Sequence, residues 1–151
     1  MSLHELLKFV HVVAAAVWVG GAVMLRVQGS RALAADRARA AQLATEGEQL
    51  GMRVLMPASI LLLVAGLLTA FEGGYGLEPL WVKLGLAIYV VSAVVGARFL
   101  GPLNKQAGEL NAERGPDDPE LAARLRRIST IGWIDLGLLV AAVFVMVVKP
   151  G

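Results

Sequence analysis

The chain has 151 residues, of which 57% are hydrophobic and 17% charged, with a net charge of +2 and a mean hydropathy of +0.67. Soluble domains average about 45–50% apolar and about 25% charged residues, so this composition is typical of membrane proteins. It excludes a disordered chain, a collagen-like fibre and a water-soluble enzyme. The length predicts a single domain over 1–151. Because the sequence has no cysteine, disulfides and zinc–thiolate or iron–sulfur sites are excluded.

Four stretches are apolar enough to cross a bilayer as helices. A crossing of about 30 Å takes about 20 residues at 1.5 Å each. The first two stretches contain long runs without any charge, residues 79–97 enclose only Lys83, and residues 128–148 enclose only Asp135. We therefore predict an all-α integral membrane four-helix bundle, with spans at about 6–27, 53–71, 80–100 and 130–148.

Two other interpretations of this hydrophobicity fit less well. A soluble bundle needs a polar face on every helix, but in residues 54–71 the only polar side chains are Ser59 and Thr69. A cleaved signal peptide has an apolar core of about 7–15 residues. The first apolar run, from Phe9 to Leu25, is longer, so we expect it to be retained in the protein.

The basic residues predict the orientation in the membrane. Most of the 14 lie in or beside the first and third connections, at about 28–52 and 101–129. The second connection, residues 72–79, has two glutamates and no basic residue. Short basic connections stay in the cytoplasm, which predicts cytoplasmic first and third connections with both termini outside. The basic residues concerned are Arg26, Arg31, Arg37, Arg39, Arg53, Arg98, Lys105, Arg114, Arg124, Arg126 and Arg127.

The first cytoplasmic connection is expected to contain helix. Residues 30–49 are rich in alanine, leucine and arginine, which are strong helix formers. The segment either extends the first span or forms a short amphipathic hairpin, and Gly47 and Gly51 predict its end. Small residues four apart in the spans also predict close helix approach. These pairs are Ala16/Gly20, Ser92/Gly96, Ala93/Ala97 and Gly137/Ala141.

The third connection contains a break followed by a strong helix start. Gly115–Pro116 interrupts the chain, and Asp118 is a good N-cap before a proline in the first helical position. These signals predict one helix from Pro119 to Val148. Its stretch Leu121–Arg127 lies either against anionic headgroups or in solvent.

Ionisable side chains inside the spans are costly and mark a function or a partner. Arg98 falls at the inner end of span three, and Asp135 falls near the inner start of span four. We predict that they form an ion pair that fixes helix register, with a proton relay as the alternative role. His11 and Lys83 both fall in the outer half.

His11 is the best candidate for a functional site. It precedes Trp18 by seven residues, so both project from nearly the same helix face, with Gly20–Gly21 leaving room below. Imidazole is a common ligand of haem iron. The alternative is a structural histidine that is hydrogen-bonded to a neighbouring helix. Lys83 lies at the right height to approach His11 from the third span.

A mononuclear copper or zinc site at His11 is a further possibility. His4 lies about 10 Å away along the same helix and is too far to share one ion. Ligands would have to come from other helices, and Met146 is the methionine expected at the outer level.

Several motifs resemble a group of small bacterial membrane proteins. Residues 11–21 are similar to the first-helix signature H-x6-W-x-G-G of CopD copper-resistance domains, HemJ-type protoporphyrinogen oxidases and related uncharacterised integral membrane proteins. Gly66 matches a glycine of helix two, and residues 81–86 (WVKLGL) resemble the W-x-K-L-x-L opening of helix three. Residues 146–150 (MVVKP) resemble the M-V-x-K-P close of the uncharacterised members.

The resemblance implies a b-type haem held near His11, Lys83 and Trp18, and a haem-dependent oxidoreductase with a redox partner. HemJ-type oxidases carry N-E-x-P before helix four, where residues 127–133 here read RISTIGW. CopD-like copper handling is the alternative, although that group favours more external Met and His ligands than His4. A non-catalytic membrane partner or scaffold is the third hypothesis. Expected partners are the lipid bilayer and a second copy of the chain, and no nucleic acid.

Overall fold

The backbone is helical almost throughout. The structure is a computed structural model that describes residues 2–151, and these residues form no strand. The π-helical turns Gly51–Leu55 and Gly96–Leu100 join α2 to α3 and α4 to α5 without a break. The α-helices are α1 (Leu3–Ala35), α2 (Arg37–Leu50), α3 (Met56–Glu72), α4 (Leu80–Val95), α5 (Gly101–Arg114) and α6 (Pro119–Val148). The predicted all-α fold class is confirmed.

These segments make four long continuous helices of 33, 36, 35 and 30 residues. By length and composition each is able to cross a membrane. In the most apolar stretch of each, no more than 17% of the residues are buried inside the protein. Apolar surface left open in this way is what lipid covers. The prediction of four spans in an integral membrane bundle is confirmed.

The apolar half of the molecule comprises α3, α4, the first two-thirds of α1 and the last two-thirds of α6. Here α1 packs along α3, α4 packs along α6, and α1 and α6 join the two pairs. By contrast, α3 and α4 touch only slightly. The apolar half is therefore a chain of helix pairs with one loosely closed side, between α3 and α4.

The basic half comprises α2, α5, the end of α1 and the start of α6, and its four helices close around a core. Most of the residues predicted as connections are thus helical hairpins. Alanine dominates the core, which lets the helix backbones approach closely. The core residues are Ala32, Ala40, Ala41, Ala44, Leu103, Ala107, Leu110, Leu121, Leu125 and Ile128.

Local capping sets the helix boundaries in the basic half. Asp36 ends α1 and also caps α2, because its side chain accepts a hydrogen bond from the Ala38 amide at 2.9 Å. This sharp hairpin agrees with the second form predicted for this segment. Asp118 caps α6 through the amide of Glu120 at 2.8 Å, and the predicted helix Pro119–Val148 is confirmed. Before it, Gly115 has a φ of 82°, which favours glycine.

Of the two glycines predicted to end this helix, Gly51 follows the last residue of α2, Leu50, whereas the end predicted at Gly47 is wrong. Gly47 is buried in α2, where an added Cβ would meet Leu25 Cδ2 at 3.5 Å. Gly51 begins the π-helical turn that leads into α3. Packing against Leu25 of the neighbouring helix therefore offsets the low helix propensity of Gly47.

Candidate functional site

His11 lies between α1 and α3. Its Nδ1 is 2.9 Å from the carbonyl oxygen of Leu62. The ring rests on Gly66, where an added Cβ would stand only 2.7 Å from both Cε1 and Nδ1. Real Cβ atoms essentially never come so close to a neighbour, so the imidazole occupies this position because residue 66 is a glycine.

The contact with Leu62 determines the tautomer of His11. A carbonyl oxygen can only accept, so Nδ1 carries the proton and donates it. The lone pair of Nε2 is then left to accept a hydrogen bond or to bind a metal ion. An Nδ1–H that donates to a backbone carbonyl is the usual support of a histidine bound to metal through Nε2.

Trp18 continues the His11 face of α1 and reaches α4. Its ring packs edge-to-face on Tyr89, with centroids 5.4 Å apart and an interplanar angle of 60°. Tyr89 carries no motif in the sequence that would have revealed this contact. The room predicted beside Gly20–Gly21 is partly filled, because the side chain of Leu55 occupies the place of a Cβ at Gly21.

Lys83 does not join this group of residues. Its side chain is 58% exposed, and its Nζ lies 3.8 Å from Glu78 Oε2 in the loop before α4. The structure therefore directs Lys83 towards the surface and not across to His11.

The other predicted metal ligands lie apart from His11. Met146 packs on Gly85, at the interface of α4 and α6. His4 lies near Gly73, and its buried Nδ1 has no hydrogen-bond partner. Among residues 2–151 no cluster of three or more His, Cys, Asp or Glu side chains is arranged to hold a metal ion.

An aromatic group stands at the end of the apolar half that carries both termini. The Tyr75 and Trp81 rings pack edge-to-face with centroids 5.6 Å apart. Lys149 Nζ lies 5.7 Å from the Tyr75 centroid and 5.1 Å from that of Trp81. Such rings beside a lysine are typical of a membrane–water interface, and the cation–π contact holds the end of the chain to the loop.

The predicted ion pair of Arg98 with Asp135 does not form among the described residues. Asp135 is buried on α6 and accepts a hydrogen bond from the Ser92 hydroxyl of α4 at 2.6 Å. The basic residue packed on the same helix is Arg26 of α1, which lies against Gly132, one turn before Asp135. Arg98 follows Ser92 by six residues, which turns it about 120° away from the face that meets Asp135, and it is exposed.

Arg26 is the charged residue that the sequence reasoning missed in this role. Its Nη1 donates to the carbonyl oxygen of Ile128 at 3.2 Å, and its guanidinium occupies the place that a Cβ would take at Gly132. Nearby, Trp133 Nε1 donates to the Ser30 hydroxyl at 3.0 Å. A glycine on α6 at the level of the first arginine after span one was the signal available in the sequence.

Comparison with known proteins identifies a family but no activity. No curated protein and no solved structure gives a significant match to the chain. A family model described as "Predicted integral membrane protein (DUF2269)" matches residues 5–150. Because the match covers almost the whole chain and the four apolar helices agree with its description, the protein belongs to this family of integral membrane proteins.

Proposed function

We propose that this protein binds b-type haem through His11 in the bacterial cytoplasmic membrane and has a redox role. The observation that carries the proposal is the Nδ1–H of His11, which donates to the Leu62 carbonyl at 2.9 Å and leaves Nε2 available. The resemblance to HemJ-type and CopD proteins, whose first-helix signature contains this histidine, supports His11 as the ligand. A redox role also implies an electron partner at the membrane.

The residues around His11 fit a haem that would be held through its imidazole. Gly66 admits the imidazole against α3, and the Leu62 carbonyl holds the ring in one orientation. Bound haem would supply one-electron chemistry that no side chain in this chain provides. The contribution of the protein is to hold Nε2 unprotonated and to keep water away with apolar helices.

The side from which a haem would enter is the one between α3 and α4, which touch only slightly. Trp18 and Tyr89 pack together between α1 and α4 and would form an aromatic boundary below His11. Lys83 is exposed and paired with Glu78, so it is not part of the proposed ligand set.

We further propose that both termini face outward and the basic half faces the cytoplasm. The distribution of arginine supports this orientation. It puts His11 nearer the outer surface.

The first test compares two histidine variants of α1. His11→Ala and His4→Ala proteins are expressed with ample haem, purified in detergent and measured by absorbance before and after reduction. We expect the Soret band and the b-type pyridine haemochrome to be lost in His11→Ala and retained in His4→Ala. A colourless wild type, or unchanged pigment in His11→Ala, would refute haem binding by His11. Bound copper in a colourless wild type would favour copper handling. The absence of both haem and copper would favour a scaffold role.

A second test uses glycine substitutions inside the spans. Gly66→Ala puts a methyl group 2.7 Å from two ring atoms of His11, whereas an added Cβ at Gly137 meets nothing within 4 Å. We expect Gly66→Ala to lower haem retention at least about tenfold, because the ring must leave its carbonyl partner. Gly137→Ala should retain the wild-type pigment. Equal retention in both variants would mean that the seat on Gly66 does not orient the ligand.

A further inference from the structure

A cavity of about 50 Å³ lies where the apolar half meets the basic half. All four helices of the basic half contribute to its lining, which includes Arg26, Ser30, Ala44, Asn104 and Ser129. A water needs at least about 10–15 Å³ of such space, so the cavity holds a few waters or one small ion. It is partly open to the surface, which gives a ligand a route of entry.

The guanidinium of Arg26 at this cavity has more N–H donors than hydrogen-bond acceptors around it. A guanidinium carries five N–H groups, and one hydrogen bond from Nη1 is accepted by the carbonyl of Ile128. Asp135 follows Gly132 by three residues on α6, but it forms no direct ion pair with Arg26 among the described residues. Arg26 therefore brings a positive charge and several free N–H donors to the cavity wall.

The remaining polar lining also suits an acceptor. Asn104 is only 8% exposed, and its amide brings two further N–H donors. Ser129 adds a hydroxyl, and no lining residue is acidic. This lining therefore favours a ligand that has several oxygen acceptors and a negative charge.

The position of Arg26 narrows the choice of ligand. It is the first charged residue after the apolar run that ends at Leu25, so its guanidinium lies at the level of the lipid headgroups. The surrounding basic half, with Arg31 and Arg37 nearby in sequence, raises the local concentration of anions.

We propose that this cavity is a binding site for a tetrahedral phosphate group, held by the guanidinium of Arg26 and the amide of Asn104. Inorganic phosphate and a phospholipid headgroup present the same group, and both would enter from the basic half. The site is separate from His11 and does not depend on haem.

The test measures both sources of phosphate on the detergent-purified protein. In one arm, inorganic phosphate replaces chloride at constant ionic strength, and the thermal midpoint is followed by tryptophan fluorescence. In the other, dioleoylphosphatidylglycerol is added to the micelles, and bound lipid is counted by native mass spectrometry. Protection by phosphate identifies a soluble anion, and binding in the lipid arm alone identifies the headgroup. We expect a response in at least one arm.

Two matched pairs of variants assign the response to the cavity. Arg26→Gln and Asn104→Leu should weaken it at least about tenfold, because each removes donors from the lining. Arg98→Gln changes an exposed arginine, Asn111→Leu changes an asparagine seven residues along α5, and neither residue lines the cavity. Both controls should respond as the wild type does, as should His11→Ala.

Asn104→Leu keeps Arg26 in place, so the test stands even where Arg26→Gln does not fold. Absence of any response in the wild type would overturn the proposal. A response of equal strength in Asn104→Leu and Asn111→Leu would also overturn it.

Discussion

Asp135 shows how a buried acidic side chain is accommodated in this protein. Its carboxylate is only 9% exposed, and the Ser92 hydroxyl donates to it from the neighbouring helix. Arg26 of α1 packs on α6 at Gly132, one helical turn before Asp135. A buried carboxylate that keeps a hydrogen bond avoids most of the cost of an unpaired charge. The hydrogen bond from Ser92 to Asp135 thus joins α4 to α6.

We expect Ser92→Ala to lower the free energy of unfolding by about 1–3 kcal/mol, because it leaves the Asp135 carboxylate without its donor. The effect is measured by denaturant titration of the detergent-solubilised protein. Combined with Asp135→Leu, the loss should be clearly smaller than the sum of the single losses.

Arg98→Leu provides the control for that double-mutant cycle. Because Arg98 is exposed and does not pair with Asp135, its combination with Asp135→Leu should be additive within about 0.5 kcal/mol. Strong coupling of Arg98 and additivity of Ser92 would reverse the assignment made from the structure.

At the scale of the elements, two π-helical turns continue helices across internal prolines. Pro57 follows the turn Gly51–Leu55, and Pro102 follows the turn Gly96–Leu100, with the same spacing in both. Proline clashes with the carbonyl four residues earlier and cannot donate to it. A wider turn with i→i+5 hydrogen bonds relieves that clash without ending the helix. Both turns stand at the border of the apolar and basic halves.

The packing of α2 on α5 depends on small side chains. Ala41 and Ala107 are fully buried in this contact, and the Thr45 side chain fills the place of a Cβ at Gly108. Helices that approach this closely have no space for a larger residue. The alanine content of residues 30–49, read first as helix propensity, therefore also serves packing.

We expect Ala107→Leu to destabilise the protein by about 1–3 kcal/mol, because the added atoms force α2 and α5 apart. Ala112→Leu makes the same change at an exposed position of α5 and should stay within about 0.5 kcal/mol of the wild type. Both are measured by thermal unfolding in detergent. A larger loss in Ala112→Leu would show that the buried face of α5 has been misassigned.

At the scale of the whole molecule, the two halves are stabilised in different ways. The basic half encloses its own core of alanine and leucine and resembles a small soluble bundle. The apolar half leaves most of its surface open and gains its stability from the surrounding lipid. The concentration of basic residues in one half is the basis of the proposed orientation across the membrane.

Reporter fusions test this orientation. A fusion at Gly74, between α3 and α4, should report the external side, and one at Gly115, between α5 and α6, the cytoplasm. The reason is that basic segments resist translocation. A fusion at the C-terminal Gly151 is the control and should agree with Gly74, since both lie at the same end of the bundle. The opposite pattern would invert the orientation and put the Arg26 cavity on the outer face.

The sequence by itself determined the four spans and the single long helix from Pro119 to Val148, and it singled out His11 as the candidate site. These features are local, because twenty apolar residues or an Asp-Pro cap act within one segment of chain. Only the tertiary structure decided which sides of the helices meet. It seats His11 on Gly66, sets Ser92 at Asp135 in place of Arg98, packs Arg26 on Gly132 and turns Lys83 to the surface.

The glycines show why the contacts between helices were not predictable from the sequence. Close approaches predicted at Gly20, Gly96 and Gly137 are absent, since an added Cβ there meets nothing within 4 Å, whereas Gly66 and Gly132 are tightly covered. A helix that is apolar on all sides has no polar face to indicate its rotation. The rotation of each span, and with it the choice of partner for every buried polar side chain, is therefore decided by packing between helices.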